Sequence, residues 1–426
     1  MTRSSAHTRA SSEAPGAEGA LQGVRVAIAY DCLFPWTIGG AERWYRALAQ
    51  GLVDAGARVT YVTRLQWDEP PQLDGINVVA VRGPRELYHP DGRRRADQPI
   101  RYGGGLLLWL LRNRDAFDVL HLANFPYFSL LAARAALIGR PQPIFVDWYE
   151  VWSAAYWTEY GGPVVGRLGY LIQELCVRLT PRALVFWDHT ADRLRAHGLP
   201  GQPVVLPGLL PVAQPMVDAP DSSSDGPPVV FFSGRHIKDK GVRLLPDALR
   251  LARERLPDLR MVIAGEGRET PLVRSMVERQ GLVDAVQFVG KLSDEELFRQ
   301  VAEAACVAVP SIREGYGLAP VEANAHGTPA VVTAAPENAA VGHIVEGRNG
   351  FVVPPSAEGL AEGIVRAVAA GPELRRTTVE EYARMSAANG IKQSVAQVIS
   401  LYVDALAAGR SIDASGRASG GSGAAR

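Results

Sequence analysis

The segment EGYGLAPVE places two carboxylates, Glu314 and Glu322, at the ends of a glycine-rich window. The apolar run CVAVPS before it reads as a strand that leaves through the loop IREGYG. Pro320 suits the first turn of a helix, where its missing N–H costs nothing, and the helix continues through VEANAH to a stop near Gly327. Glu314 then lies in the loop and Glu322 in the first helical turn, so the two do not share one helix face. Gly315 and Gly317 let backbone approach a ligand closely, and the free amides of a helix start suit a phosphate. Carboxylates beside such a loop can accept hydrogen bonds from sugar hydroxyls. The combination fits a nucleotide sugar, with phosphates on the helix N-terminus, ribose on one glutamate and donor sugar on the other. Two other readings stand beside it. One is a polar strand-to-helix turn with a solvated glutamate and a glutamate near the helix dipole. The other is a glycosidase-type pair, disfavoured because both carboxylates surround one phosphate-suited loop.

A second stretch, SGRHIKDKG from Ser233 to Gly241, follows another apolar strand, at the edge where α/β sheets bind ligands. Arg235 and Lys240 are cations that could neutralise a leaving diphosphate, or two surface cations on a loop.

The elements that must carry these groups alternate apolar strand runs with helical patterns, the mark of α/β layers with parallel sheets. VRVAIAY, ARVTYVT, DVLHLANF, PIFVDWYE, ALVFWD and PVVLPG are strand candidates of a first half, with GGAERWYRALAQGLVDAG as its first helix. After the polar stretch DAPDSSSDGPP the alternation restarts with PVVFFSGR, RMVIAGEG, VQFVGKL, CVAVPS, AVVTA and GFVVP. The expected layout is a lead over residues 1–20, a first domain over 21–217, a linker over 218–228 and a second domain over 229–390. A closing helix over 391–410 packs back towards the first domain, and 411–426 is a disordered tail. A cleft between two similar α/β halves is a favoured ligand site.

At 426 residues the chain is too long for one ordinary core. Formal net charge is zero, so no global field favours nucleic acid or an anionic membrane. Cys32, Cys176 and Cys306 form no CxxC pair, which argues against zinc or a disulfide framework and fits a reducing cytoplasm. The greasy run LLLWLL is too short to span a bilayer, and the start of the chain has no apolar secretory core. The basic run DGRRRAD beside LLLWLL reads as a solvated loop, with membrane contact at most peripheral.

GRHIKDKG, AGEG, FVGKLSDEEL and PSIREGYGLAPVEANAHGTPAVVT occur in the order seen in family 4 retaining glycosyltransferases, which this chain resembles from about Val24 to Leu406. IGGAERWYRALAQGL, VLHLANFPYFSLL and VDWYEVW are similar to that family's first half. The resemblance implies a GT-B fold, two Rossmann-like domains facing each other across a cleft. It implies Glu322 on the nucleotide ribose, Glu314 on donor-sugar hydroxyls, and Arg235 and Lys240 on the diphosphate with amides near Gly317 and Leu318. Gly39 and Gly40 match the loop that faces the phosphates, and Lys291 lies where the base is contacted. The chemistry implied is transfer with retention, without metal or cofactor, the leaving phosphate itself serving as base. The protein then supplies position and charge stabilisation. The partners implied are a nucleotide sugar, with uracil or guanine as base, and an acceptor; oligomeric state is unreadable.

In one place the chain departs from the family. Tyr149 occupies the position of a histidine that contacts the donor's 6-hydroxyl region. A phenol is longer than imidazole and stays neutral at pH 7, which suggests a donor modified there; an ordinary sugar packed on Tyr149 is the alternative. Trp148, Tyr149, Trp152, Tyr156, Trp157 and Tyr160 crowd the same region, as acceptor platform or as core. Asp31, Trp36, His121 and Asn124 are acceptor-side candidates by position. The acceptor expected is small and soluble, in a secondary-metabolite pathway, with an O-linkage or an S-linkage. The competing functions are a catalytically silent GT-B binder and a coupling enzyme or epimerase on the same fold. A nicotinamide dehydrogenase is disfavoured, because DCLFPWTIGG replaces GxGxxG after the first strand.

Overall fold

A computed structural model describes residues 19–37, 39–81, 95, 97–210 and 226–419, with side chains as far as 409. The linker expectation at 218–225 and most of DGRRRAD lie outside the described residues; of the latter, Arg95 pairs with Asp97 at 3.1 Å.

The first domain is a 7-stranded parallel sheet in the order β3-β2-β1-β4-β5-β6-β7. Its strands are β1 (Arg25–Ala29), β2 (Arg58–Thr63), β3 (Ile76–Ala80), β4 (Val119–Ala123), β5 (Ile144–Trp148), β6 (Ala183–Val185) and β7 (Val204–Val205). Helices α1 (Gly40–Asp54), α2 (Asp97–Arg112), α3 (Phe128–Ala136), α4 (Ala154–Leu179) and α5 (Asp188–Ala196) cover it. Parallel strands covered on both faces must be apolar throughout, and every residue of β4 and β5 is buried. Strand β3, INVVA, is absent from the sequence reading. It is an edge strand with partly exposed residues, so it lacks the continuous apolar character of the central ones.

The second domain is a 6-stranded sheet in the order β10-β9-β8-β11-β13-β15. Its strands are β8 (Val229–Ser233), β9 (Arg260–Ala264), β10 (Val286–Gly290), β11 (Cys306–Val309), β13 (Ala330–Thr333) and β15 (Gly350–Val353). A separate two-residue pair, β12 (Arg313–Glu314) and β14 (Glu337–Asn338), sits beyond the end of β11. Helices α6 (Leu244–Arg253), α7 (Thr270–Arg279), α8 (Asp294–Glu303), α9 (Leu318–Ala325) and α10 (Ala357–Asn389) belong to this half. The last, α10, is bent where Gly371 leaves helical geometry ahead of Pro372.

Helix α11 (Ile391–Ser419) then returns to the first domain, where Val395, Val398, Ile399 and Tyr402 share a core with Trp44 and Leu48. It runs on past 410 to Ser419, correcting the disordered tail expected from 411 in its first part. No proline interrupts SIDASGRAS, so a helix already docked can propagate through it.

Both sheets reverse strand order beside their first strand, between β1 and β4 and between β8 and β11. In open parallel sheets a ligand crevice opens outside the carboxyl ends at such a switch point. The loops leaving β1, β4, β5, β8 and β11 take in residues 30–37, 39, 124–127, 149–153, 234–241 and 310–317, which include most of the residues singled out above.

Candidate active site

The turn carrying Lys240 and the loop carrying Glu314 are built against each other. Gly241 has φ +64°, and a Cβ there would lie 1.9 Å from the carbonyl oxygen of Pro310, so only glycine lets the two loops close. The Ile312 amide donates to the Asp239 carbonyl at 2.9 Å. These contacts bring Lys240 Nζ to 2.6 Å from Glu314 Oε1, which also accepts from Ser311 Oγ at 2.7 Å. Both side chains stay partly reachable from solvent. Arg235, at the end of the same turn, is exposed, and among the described residues no carboxylate pairs with it.

Gly317 caps α9 in the left-handed region, φ +84° and ψ +68°. The first amides of α9 have no acceptor within the helix and form its anion-binding end. Across the cleft, a Cβ on Gly40 would come 2.7 Å from Leu318 Cδ1, so the first turns of α1 and α9 meet through a glycine. Gly39 is extended, φ −177°, with the Glu42 side chain over it.

Glu322 lies one turn into α9 rather than in its first turn, since the helix begins at Leu318. Its neighbour is Arg43 of α1, whose Nη1 is 4.0 Å from Glu322 Oε1 and whose Nη2 is 3.3 Å from Asp294 on α8. Burial pushes the Glu322 carboxyl above its ordinary pKa, the Arg43 charge pulls it back and Asp294 adds to the rise. A carboxyl raised on folding binds protons better folded than unfolded. The stability it contributes is therefore full below the ordinary value of 4.5 and declines as pH rises through the folded value. Ribose hydroxyls donating to the carboxylate, the role that the family resemblance implies for Glu322, would act the other way. Nucleotide affinity is expected to rise with pH across that window above 4.5, with the dependence lost in Glu322→Gln; calorimetric titration at several pH values checks this, and identical profiles would refute it.

Between the domains lies a narrow polar crevice lined by Tyr149, Glu150, Trp187, His189, Arg193, Arg313, Glu314 and Glu337, among others. Tyr149 gives it a ring, stacked on Phe186 at 5.9 Å, while the hydroxyl points into the core near Tyr45 and is buried. The phenol oxygen therefore does not meet the cleft. Arg193 of α5 pairs with Glu337, so this crevice is closed from both domains.

Three acceptor-side candidates are buried, and one of them, His121, belongs to the core. His121 is fully buried in β4, with Nε2 2.9 Å from Asp147 Oδ2 and Nδ1 2.6 Å from the Tyr402 hydroxyl on α11. Trp44 Nε1 donates to the same Asp147 oxygen at 2.7 Å, and this polar knot pins the closing helix to the first sheet. Asn124 and Asp31 are likewise buried, at 4% and 1% exposure, at the ends of β4 and β1. Trp36 is 39% exposed and packs edge-on against Trp67. Trp152 is half-buried among Tyr156, Trp157 and Tyr160. Lys291 is exposed just beyond β10.

Glu150, Arg193, Arg313, Glu337 and Arg43 are missing from the sequence reading. Arg313, next to Glu314, and Arg43, three residues beyond Gly40, had adjacency as a signal; the others become site residues only through distant partners. Among the described residues no group of three or more His, Cys, Asp or Glu side chains could hold a metal ion, and no helix is long and apolar enough to cross a membrane.

The chain matches the family model described as Glycosyl transferases group 1 over residues 218–385, and Glycosyl transferase 4-like domain over residues 39–208. Alpha-D-kanosaminyltransferase of Streptomyces kanamyceticus is 30% identical over 312 residues, 67% of this chain and 78% of that protein. D-inositol 3-phosphate glycosyltransferase of Mycolicibacterium smegmatis is 32% identical over 279 residues, 63% of this chain and 58% of that protein. Among solved structures, sucrose-phosphate synthase from Thermosynechococcus elongatus superposes with a TM-score of 0.73 at 19% identity, over 90% of this chain and all of that one. Anabaena HepE, solved with UDP and glucose, gives 0.67 at 16%, over 89% of this chain and 99% of that one. The fold is GT-B, and the chain belongs to the family 4 glycosyltransferases.

Proposed function

We propose that the chain transfers a sugar, with retention of anomeric configuration, from a UDP- or GDP-activated donor to a small soluble acceptor. The observation that carries this reading is the Lys240–Glu314 pair at 2.6 Å, set beside the N-terminus of α9. The diphosphate takes the α9 amides, Lys240 and Arg235; the donor sugar lies on Glu314 and the ribose on Glu322. As the glycosidic bond breaks, charge grows on the diphosphate, and the two cations and the helix end stabilise it more than they stabilise the ground state. The acceptor attacks the face that the diphosphate leaves, and a phosphate oxygen takes its proton. Charge neutralisation by side chains assigns no step to a metal ion or cofactor. Three buried free cysteines support a cytoplasmic setting.

The reading extends to a modified donor and an antibiotic-type product with an O- or S-linkage. The kanosaminyl group in the first relative's name, an aminodeoxy sugar altered at C3 and not at C6, supports a modified donor only in that general sense. Tyr149 presents its ring and not its hydroxyl to the crevice, which favours an apolar contact with the donor where the family resemblance implies a histidine.

The test incubates the protein with a panel of UDP- and GDP-sugars and candidate acceptors, with and without EDTA, and reads products by mass spectrometry and anomeric proton coupling. Transfer with the donor's configuration kept and a rate indifferent to EDTA is the expected outcome. Inversion, or loss of activity in EDTA, would overturn it. Preference for plain UDP-glucose or GDP-mannose over modified donors would remove the modified-sugar element alone.

A further inference from the structure

Lys240 and Glu314 are both on the second domain, yet the residue beside each of them is held by the first. Arg313, only 9% exposed, donates from Nη1 to Glu150 Oε2 at 3.4 Å. Its guanidinium carbon lies 3.6 Å from the centre of the Tyr156 ring and 5.8 Å from that of Trp152. Trp152 Nε1 donates to the same Glu150 oxygen at 2.6 Å, which aims the carboxylate. The other Glu150 oxygen lies against Gly315, where a Cβ would come within 2.9 Å of it. Glu150 thus touches the residues on both sides of Glu314. On the Lys240 side, the Tyr156 hydroxyl donates to Asp239 Oδ2 at 2.5 Å, one residue before Lys240. Lys238, one residue further back, pairs with Glu159.

A stretch of the first domain, from Glu150 to Glu159, therefore grips the neighbours of both members of the Lys240–Glu314 pair. Strand β12 has two residues and pairs with β14. Within the second domain Lys240 and Ser311 hold Glu314, and Glu337 lies 3.6 Å from Arg313 Nη2, while the flat face and Nη1 of Arg313 are held by the first domain. We propose that Arg313 is a positioning residue for sugar transfer, locking the Glu314 loop to Glu150 and Tyr156 when the domains close and so setting Glu314 against the donor sugar. The inference rests on the transferase reading above. It separates two tasks: the helix end and cations hold the diphosphate from the second domain alone, while alignment of the sugar requires closure. Removing the lock lowers turnover and leaves diphosphate binding in place.

The test uses the full chain carrying Arg313→Gln, Arg313→Lys, Glu150→Gln, or both glutamine substitutions. UDP and GDP are titrated by calorimetry, and turnover is followed as diphosphate released from whichever UDP- or GDP-sugar the wild type uses. The expected result for the glutamine variants is a diphosphate Kd within about twofold of wild type, and kcat lowered about tenfold or more with KM changed less than about threefold. Arg313→Lys keeps the charge without the planar stack and recovers part of the loss. The double variant is no worse than the poorer single one, because both remove one interaction. If Arg313→Gln does not fold, Glu150→Gln, which keeps the shape of its side chain, carries the test from the other side. Unchanged kcat, diphosphate affinity falling in step with turnover, or losses that multiply in the double variant would each overturn the assignment. A wild type that binds no diphosphate and uses no nucleotide sugar removes the transferase reading, and this inference with it.

Discussion

Replacing Lys240 with methionine is expected to lower the turnover of the nucleotide sugar about 10²–10³-fold, the loss typical of removing one charge-stabilising group. Methionine keeps the length of the stem and removes only the ammonium. Lys240 contacts Glu314 at 2.6 Å, and it stands on a turn locked to the Pro310 loop through Gly241. On the proposed mechanism its charge serves two ends: it orients the Glu314 carboxylate and meets the negative charge that develops on the leaving diphosphate. The second role grows in the transition state, so kcat falls more than KM rises. Stability changes little by comparison, because the ion pair is partly solvated and Ser311 still donates to Glu314. Steady-state kinetics on the donor found for the wild type checks this. A turnover within about threefold of wild type would show that the ammonium is not part of the chemistry.

Gly317→Ala is expected to disable the site through backbone geometry. Its φ of +84° costs a side-chain-bearing residue about 1–2 kcal/mol. The added methyl would also stand 2.5 Å from Ala340 Cβ and 2.6 Å from Ala340 Cα, where no rotamer change can relieve it. Overpacking of this kind adds about 1–3 kcal/mol. The chain can relax by moving the start of α9, which carries the free amides proposed to face the diphosphate. Urea denaturation should show a loss of about 2–5 kcal/mol, and calorimetry a loss of diphosphate binding. Gly342→Ala is the control, because open space surrounds that position; its effect should stay within about 0.5 kcal/mol. Equal behaviour of the two variants would contradict this account of α9.

Both sheets are legible in the sequence because their central strands are buried on both faces and read as unbroken apolar runs. The same property hides what polar residues within them do. His121 has an apolar residue on each side in β4, and its partner Tyr402 lies 281 residues away. Position alone suggests a ligand contact, and only the packing of α11 shows a core histidine. Strands β12 and β14 are too short to carry any periodicity. Lys240 and Glu314 are each legible because glycines and charges cluster locally around them, whereas their pairing, across 74 residues, is not. Nor is the clamp on their neighbours, because Arg313 meets Glu150 across 163 residues of chain and neither stretch mentions the other. Tyr149 shows a third case: the sequence places the phenol at the cleft, and the structure turns its oxygen into the core.

The measurement that bears most directly on the whole account is a thermal-shift titration with UDP, GDP, ADP and TDP on wild type and Glu322→Ala. A ligand that binds only the folded protein adds about 2.7 kcal/mol at a hundredfold excess over Kd, enough to move Tm by several degrees. The account predicts a selective rise with UDP or GDP in the wild type that is abolished or sharply reduced in Glu322→Ala. No rise with any diphosphate, or a rise that ignores the substitution, would contradict a nucleotide-sugar site at the start of α9.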